Sequence, residues 1–594
     1  MSNTNWGKLQ LQQLLPTSNN NNNNNNASST SLTYKDTSTT ASTLGEGKKS
    51  SYLVHGENDS ETTSVRYGSF SSISDLEHVV EVPQGRHLGV FSTVVLFVSR
   101  IIGSGIFASS GVYVNSGGNL LIYFTVWFLA AVLAVCGLFL YLEFGSLIPK
   151  SGGTKNFLEK AFDKPRFMTS VVFGTYTVFT GFVITTSIVF GQYFLAIFNI
   201  QNDYWANYVG CIAVFAVALV HGLSVRHGIY IQNLLGGLKL VIIAILCITS
   251  ILVLFFPSVL KLSRDFQLPP VTQFPEGSQM VTVSTITAAF IQAFFCFAGW
   301  SSVHNVTSEI INPTRTLKIA GSLSLLLSFI CYSLMVAAYV KVLSFEEIAK
   351  SGSLLGAIFF KKVYGDVIGG KFITFTIAIS SLSNMFVVIF GIGRMNQEIF
   401  RHAYLPFSNI FVKNWPTNAP LCSTLLAATI SAFWLVLTAG DSNAYNYLVS
   451  MEGYSNQLIL LLVTIGLYVY KKNNPTRVPE IKSSLLGNLL LVVLSVYLLV
   501  SPICSRDSAP TNSLQGFPAY YVSSLVIIGM CFLYWVAKFL VSPKLCGYIL
   551  FPEIDVLDDG LIVQKWCKLY KSDLLLIDEE QNITNQVNNG VEVV

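Results

Sequence analysis

The stretch Ser99–Phe107, which reads Ser-Arg-Ile-Ile-Gly-Ser-Gly-Ile-Phe, lies inside an apolar segment long enough to be a membrane helix. Each of its two glycines lowers helix stability by about 1 kcal/mol relative to alanine. Backbone groups that a helix break releases cannot bind water inside a bilayer, so the break is costly unless another partner binds them. The stretch therefore predicts an interrupted membrane helix and a partner for its freed N–H and C=O groups.

The rest of the chain has the composition of a membrane protein. Its 594 residues are 52% hydrophobic and only 11% charged, whereas a soluble domain has about 25% charged residues. Its mean hydropathy is +0.54. Twelve apolar stretches are long enough to cross a hydrocarbon core, which takes roughly 20 helical residues. They cover residues 88–113, 119–142, 168–197, 206–225, 229–256, 283–308, 316–341, 372–398, 419–438, 443–470, 485–503 and 518–540. We predict an all-α polytopic membrane protein with 12 transmembrane helices.

Two polar tails flank the predicted twelve-helix membrane domain, residues 86–545. Residues 1–85 are rich in Asn, Ser and Thr and include the run Asn19–Asn26. Such a segment buries too little apolar surface to offset its ordering entropy, so we expect a disordered tail. Its lysines and hydroxyls suit ubiquitin or trafficking machinery, although an inert leader explains them as well. Residues 546–594 form the predicted C-terminal tail.

Lysine and arginine indicate the orientation of the chain. They concentrate in the loops after the second, eighth and tenth predicted helices, whereas loops 114–118, 198–205 and 439–442 contain none. The segment 342–371 is an exception, but it is long and its four lysines are partly balanced by acids. Because basic loops face the cytoplasm, we expect both termini there. No apolar leader precedes Leu88, so we expect no signal peptide.

A second interrupted helix is predicted in the sixth apolar stretch. The sequence from Phe295 to His304 is Phe-Cys-Phe-Ala-Gly-Trp-Ser-Ser-Val-His, so Gly299 is followed by unusually polar residues. Interrupted helices at matching positions of two halves indicate a transporter binding site. The first and sixth helices match if the chain consists of two five-helix repeats.

The two breaks offer groups of both signs to a ligand. The donors are the N–H groups of Gly103, Ser104, Gly105 and Ile106, which begin a new half-helix. The acceptors are the C=O groups of Ile101, Ile102, Phe295, Cys296 and Phe297, which end the preceding half-helices. Unpaired donors attract an anion, and unpaired carbonyls attract a cation. Such a site suits the carboxylate and ammonium of an α-amino acid, unless the glycines serve only close helix packing.

These motifs resemble the amino acid–polyamine–organocation superfamily, in particular its L-amino-acid transporter branch and the fungal high-affinity methionine permeases. The resemblance covers residues 85–545. The motifs that carry it are Gly103-Ser-Gly-Ile-Phe107, Tyr141-Leu-Glu-Phe-Gly-Ser-Leu-Ile-Pro-Lys-Ser-Gly-Gly153, Lys155-Asn-Phe-Leu-Glu159, Phe297-Ala-Gly-Trp300, Glu309-Ile-Ile-Asn-Pro-Thr-Arg-Thr-Leu-Lys-Ile-Ala320, Gly393-Arg394, Leu405-Pro-Phe-Ser-Asn409 and Asn418-Ala-Pro420.

The resemblance implies a leucine-transporter-type fold of two inverted five-helix repeats plus two further helices, with alternating access by rocking of a bundle against a scaffold. It implies that Gly103–Ile106 binds the substrate carboxylate and that carbonyls near Ile101 and Phe295 bind the ammonium. It also implies that an aromatic side chain, here Phe295, closes over the substrate. The substrate-binding candidates of the sixth helix are Phe295, Cys296, Phe297, Gly299 and Trp300.

Ionisable residues near the first break are candidates for ion coupling, because charged groups at membrane depth are usually functional. The resemblance places Lys239 where sodium-coupled relatives bind a cation. Its ammonium either exchanges protons or is a fixed charge that holds the carbonyls of the first break. Arg100 either pairs with a carboxylate such as Glu309 in an inner gate or reaches the lipid headgroups. His304 is a weaker candidate, as a proton relay or as pocket lining.

The positions of the cysteines predict neither a disulfide-linked subunit nor a metal site. One branch of the family is linked to a single-span glycoprotein through a cysteine in the loop after the third helix, but residues 199–205 contain none. We therefore expect no disulfide-linked subunit. The cysteines are not in CxxC spacing, so we expect no metal and no cofactor. Arg401-His-Ala stands where many members have Arg-Glu-Gly, which leaves the gate details open.

The sequence as a whole predicts a secondary active permease of the plasma membrane that imports methionine, driven by protons. Other sulfur or apolar amino acids stay open as substrates. We expect no enzymatic activity, because neither an HExxH nor a GxSxG motif is present. The net charge of +4 gives no indication of nucleic-acid binding. The alternative is an amino acid receptor on the same fold that binds its ligand without transporting it.

Overall fold

The structure is a computed structural model that describes residues 88–570, apart from 104, 151, 163, 166, 181–182, 201, 261–269, 279, 418, 442, 505–513, 515 and 558–560. Three predicted features lie outside the described residues. They are the N-terminal tail 1–85, the end of the C-terminal tail from residue 571, and Ser104 of the first break.

The described residues form 19 α-helices and two β-strands. The helices are α1 (Val90–Ile101), α2 (Ser110–Asn115), α3 (Leu120–Leu147), α4 (Gly153–Ala161), α5 (Met168–Thr180), α6 (Ile184–Ile197), α7 (Asp203–Leu223), α8 (Val225–Phe255), α9 (Val283–Cys296), α10 (Pro313–Val342), α11 (Phe345–Ser351), α12 (Leu355–Gly365), α13 (Thr374–Arg401), α14 (Ser408–Phe411), α15 (Leu421–Leu437), α16 (Ala444–Asn473), α17 (Leu485–Cys504), α18 (Tyr520–Trp535) and α19 (Ser542–Cys546). The strands are β1 (Tyr548–Val556) and β2 (Ile562–Tyr570). Shorter 3₁₀ segments include Gly105–Ala108 and Ser302–Glu309, and π-helical segments are Asp366–Ile373 and Val536–Val541.

Helices occupy all twelve of the predicted apolar stretches. Within the described part of the chain, ten helical segments are long and apolar enough to cross a membrane. The sixth and ninth stretches contain the shorter apolar helices α9 and α15. The helix α9 is short because it ends at Cys296, beside the predicted break. The helix α15 is short because Pro420 directly precedes it, and proline has no N–H to continue a helix N-terminally.

The long helices pack as two groups. In the first group, α10 packs on α1 and α3, and α9 packs on α3. In the second group, α6, α7, α13 and α15 pack on one another. The helix α8 contacts both groups, and α1 contacts α13. The helix α1 therefore lies where the two groups meet, and the 3₁₀ segment Ser302–Glu309 that follows α9 also contacts α13.

Backbone hydrogen bonds join the residue before α1 to the end of the 3₁₀ segment Ser302–Glu309. The N–H of Leu88 donates to the carbonyl of Glu309 at 2.9 Å, and the N–H of Ile311 donates to the carbonyl of Leu88 at 3.0 Å. These two bonds tie the chain that enters α1 to the end of the segment that follows the second break.

A β-hairpin follows the last long helix. The all-α prediction did not include this hairpin. Its strands β1 and β2 are antiparallel, and the indole N–H of Trp566 donates to the carbonyl of His402 at 3.0 Å. The Trp566 ring also contacts Phe167 at 4.9 Å between centroids. No secondary structure was predicted for this tail, although its β-branched and aromatic residues favour strands.

Glycine allows a close contact between α8 and α1. A Cβ atom at Gly236 would lie 2.6 Å from Cγ1 of Val95 and 3.3 Å from Oγ of Ser99. A Cβ atom at the neighbouring Gly237 would meet no atom within 4 Å. Small residues at such positions let membrane helices approach closely.

We expect Gly236→Val to lower the thermal unfolding midpoint of the detergent-solubilised protein, because an overpacked contact costs about 1–3 kcal/mol. Gly237→Val is the matched control and should unfold close to the wild-type temperature, since its side chain enters open space. The measurement is a thermal-shift curve for each variant. An equal decrease of the unfolding midpoint in the two variants would contradict a specific contact between Gly236 and α1.

Candidate functional site

Both predicted helix breaks are present. The helix α1 ends at Ile101, and Ile102 has φ −80° and ψ 76°, which is not helical. A 3₁₀ turn then begins at Gly105. The helix α9 ends at Cys296, and turns over residues 297–301 lead into the 3₁₀ segment from Ser302. The prediction of two interrupted helices from their glycines is confirmed.

The two breaks contact each other at a glycine. A Cβ atom at Gly105 would lie 2.9 Å from Sγ and 3.3 Å from Cα of Cys296. Gly103 likewise faces the side chain of Asn384 on α13, because its Cβ would lie 2.6 Å from Nδ2. At both positions the glycine backbone therefore lies closer to Cys296 or Asn384 than a residue with a side chain could.

A buried tyrosine connects the two breaks. The hydroxyl of Tyr332 on α10 lies 2.8 Å from the carbonyl oxygen of Ile101 and 3.0 Å from that of Cys296. Its ring packs against Phe297, with centroids 5.0 Å apart. A hydroxyl has a single proton, so the two carbonyls share one donor. Both carbonyls were predicted to bind a substrate ammonium, and in this conformation Tyr332 binds them instead.

Tyr332 was not among the site residues predicted from the sequence. It ends a row of polar residues at four-residue spacing on α10, Ser324, Ser328 and Tyr332, which marks one face of an apolar helix but does not show what that face contacts. Only its position against Ile101 and Cys296 shows that it belongs to the site.

Lys239 lies beside the first break and is fully buried. Its Nζ donates to the carbonyl oxygen of Ser99 at 2.9 Å. Ser99 is close to the C-terminal end of α1, where a cation interacts favourably with the helix dipole. This contact is the one that the fixed-charge interpretation of Lys239 requires.

Arg100 lies between the two breaks. A Cβ atom at Gly299, whose φ is +121°, would lie 2.5 Å from Cγ of Arg100. Arg100 interacts electrostatically with Glu452 on α16. Glu309, which the sequence suggested as its partner, instead lies beside Arg394, with 3.8 Å between Nε and Oε1. The correct partners could not be assigned from the sequence because the four charged side chains belong to four different segments.

A cavity of about 230 Å³ adjoins the breaks. Its lining includes Arg100, Phe294, Gly299, Trp300, Glu452 and Asn456. Of the predicted substrate-binding residues that the structure describes, Gly299 and Trp300 line this cavity. Ile101, Ile102, Gly103, Gly105, Ile106, Phe295, Cys296 and Phe297 do not line it. The predicted residues thus fall into a packed part at the breaks and an open part beside Gly299.

The candidates His304 and Trp300 both pack against the helix α3. His304 is buried and packs against Tyr141 and Phe157, with ring centroids 5.6 Å and 6.2 Å away. Among the described residues, neither of its ring nitrogens has a hydrogen-bond partner. The Trp300 ring packs on Gly137, where a Cβ would lie 2.5 Å from Cη2. His304 does not line the cavity, whereas Trp300 does.

Comparison with known proteins identifies the family. A family model described as amino acid permease matches residues 88–533. The chain is 50% identical to the low-affinity methionine permease of Saccharomyces cerevisiae over 516 residues, which are 85% of this chain and 93% of the relative. It is 28% identical to the high-affinity methionine permease of the same yeast over 521 residues, with 86% and 89% covered. It is 27% identical to the human b(0,+)-type amino acid transporter 1 over 429 residues, with 71% and 84% covered.

The chain belongs to the amino acid permease family, whose members here are permeases and transporters rather than enzymes. Its membrane-length helices and these relatives make it a multi-pass membrane protein. The predicted resemblance to the superfamily and to methionine permeases is confirmed. Of the two yeast methionine permeases, the low-affinity one is the more similar, whereas the sequence motifs pointed to the high-affinity group.

Tyr332→Phe should lower amino acid uptake about tenfold or more, because leaving a buried polar group unpaired costs about 1–3 kcal/mol. Tyr454→Phe is the matched control, since its hydroxyl donates to the Leu499 carbonyl at 2.9 Å, away from the breaks. Initial uptake rates should be normalised to the amount of protein at the cell surface. Wild-type uptake by the Tyr332 variant would show that its bridge is dispensable.

Proposed function

We propose that this chain is a secondary active permease of the plasma membrane that imports methionine together with protons. The observation that carries the proposal is the pair of helix breaks in contact at Gly105 and Cys296, beside a cavity. The methionine permease named among its relatives supports the substrate. Because a backbone site recognises only the carboxylate and ammonium, other sulfur or apolar amino acids are further substrate candidates.

The substrate is proposed to bind at the breaks. Its carboxylate accepts hydrogen bonds from the N–H groups of Gly103–Ile106, and its ammonium donates to carbonyls of Ile101 and Ile102 and of the segment 295–297. Charge-assisted bonds of this kind contribute about 1.5–3 kcal/mol each. The Tyr332 hydroxyl contacts two of these carbonyls, so ammonium binding requires this hydroxyl to move aside or to share them. Phe295, Phe297 and Trp300 are proposed to surround the substrate side chain.

The proposed architecture has 12 transmembrane helices, in which two five-helix repeats of inverted topology are followed by two further helices. The two packing groups of long helices support alternating access by rocking of one group against the other. Both termini are proposed to be cytoplasmic, with a membrane domain at 86–545 between tails at 1–85 and 546–594. The cavity then faces the cytoplasm, because Leu96 and Arg100 line it from the N-terminal side of the first break.

Lys239 is proposed to take part in coupling as a fixed cation. Its ammonium contacts the Ser99 carbonyl at the end of α1, so it stabilises the half-helix that ends at the first break. Rearrangement of this break during transport then changes the distance between the Lys239 ammonium and the carbonyl groups of α1. The electrostatic energy of Lys239 therefore depends on the position of the half-helix.

Uptake into proteoliposomes tests the proposal. The purified full-length chain would be reconstituted and supplied with a panel of labelled amino acids, with and without an outside-acid pH gradient. We expect methionine to accumulate above equilibrium only when the gradient is present. Binding of methionine without accumulation would instead favour a receptor, and accumulation that ignores the gradient would refute proton coupling. Empty liposomes and Gly105→Val protein are the controls.

A further inference from the structure

The cavity is lined by two opposite charges that the proposed transport steps have not used. Among the described residues of its lining, Arg100 is the one base and Glu452 is the one acid. The two side chains interact electrostatically. Ionisable groups at membrane depth are costly to keep and commonly belong to ion pathways or proton relays.

The position of Arg100 links this pair to both helix breaks. Arg100 is the last residue but one of α1, and its side chain passes directly over Gly299 at the second break. Glu452 lies in α16, a helix of 30 residues that has no comparable interruption. Rearrangement of the breaks therefore moves Arg100 relative to Glu452. Since the Coulomb energy of two charges depends on their separation, such a movement changes how strongly Glu452 holds a proton.

Glu452 is accessible from the cavity, whereas Lys239 is not. Glu452 is half-buried, and Asn456, one turn further along α16, is exposed. Lys239 has no exposed side-chain surface, its Nζ is bonded to Ser99, and it does not line the cavity. Of these two ionisable groups, Glu452 is the one that solvent protons can reach in this conformation.

Other titratable groups face Glu452 from the surrounding helices. Tyr176 on α5 interacts electrostatically with it, and Tyr141 on α3 lines the same cavity. Both phenols are neutral at physiological pH. On the helix α4, which also packs on α16, Lys155 is paired with Glu159 at 3.5 Å. Among the described residues that line the cavity, Arg100 is therefore the charged group that accompanies Glu452.

We propose that Glu452 binds the proton that accompanies the substrate and that Arg100 is the counter-charge that promotes its release. The inference rests on the proposed proton-coupled import. The carboxylate takes one proton from the external water when the outward-facing state forms, and substrate and proton then move inward together. In the conformation described here both groups line the cavity, and the proton leaves to the internal water.

The test separates substrate exchange from proton coupling in proteoliposomes of the full-length chain. Counterflow of labelled methionine at equal pH on both sides needs no net proton movement, whereas accumulation under an outside-acid gradient does. We expect Glu452→Gln to retain counterflow and to lose accumulation. We expect Glu452→Asp, which keeps the carboxyl group, to retain both. Asn456→Ala is the matched cavity control, and any effect that it has should fall equally on the two readouts.

Each outcome discriminates between the possibilities. Gradient-driven accumulation by Glu452→Gln equal to that of the wild type would overturn the role of Glu452 and leave the proposed function intact. A wild-type protein that ignores the gradient would refute the proposed proton coupling itself and the inference with it. Loss of counterflow in both Glu452 variants would assign this residue a structural role and also overturn the inference.

Discussion

Gly105→Val is expected to abolish methionine uptake while the protein still folds and reaches the membrane. The first atom of the new side chain would lie 2.9 Å from Sγ and 3.3 Å from Cα of Cys296, so the two breaks would have to separate. The added methyl groups would also cover backbone N–H groups that are proposed to bind the substrate carboxylate. Overpacking of a well-packed contact costs about 1–3 kcal/mol, which a large membrane protein tolerates without unfolding.

The measurement is uptake of labelled methionine by cells in which the amount of permease at the surface is determined separately. Gly529→Val is the matched control, because a Cβ atom at Gly529 in α18 would meet no atom within 4 Å. This control should transport at the wild-type rate. Substantial uptake by Gly105→Val at normal surface abundance would show that the backbone at the first break does not bind the substrate.

Lys239→Met is expected to have the second largest effect, with accumulation reduced about tenfold or more. Methionine keeps most of the apolar stem but removes the ammonium, which leaves the buried Ser99 carbonyl without this donor. An unpaired buried polar group costs about 1–3 kcal/mol, and 1.4 kcal/mol corresponds to a tenfold change in rate. Accumulation under a pH gradient is the readout, with counterflow measured on the same proteoliposomes.

Lys341→Met provides a matched comparison for this variant. The Nζ of Lys341 donates to the carbonyl oxygen of Leu254 at 2.9 Å, which is a similar lysine-to-backbone bond away from the breaks. We expect this variant to accumulate methionine nearly as well as the wild type. Unchanged accumulation by Lys239→Met would remove Lys239 from the coupling mechanism, and equal losses in both variants would indicate a general helix-stabilising role.

The helices and their interruptions were predictable from the sequence because each depends on local properties. An apolar stretch of sufficient length must form a helix in a bilayer, since every backbone group has to be bonded within the chain. A glycine followed by polar residues weakens such a helix at the position where it occurs, as at Gly103 and Gly299. Local sequence properties therefore located both breaks, whereas the position of Lys239 beside the first one was implied by the family resemblance.

The partners of the breaks were decided by tertiary structure. The Tyr332 hydroxyl meets a carbonyl 231 residues away, and the Lys239 ammonium meets one 140 residues away. Arg100 and Glu452 came to line one cavity, and Glu309 came to lie beside Arg394, only when the chain folded. A polar side chain in an apolar helix shows by itself that it needs a partner, but packing geometry selects which one. The physical reason is that the length of an apolar stretch and its glycines are properties of one segment. Hydrogen bonds and ion pairs join segments that are distant in the sequence, so only the folded structure shows which groups meet.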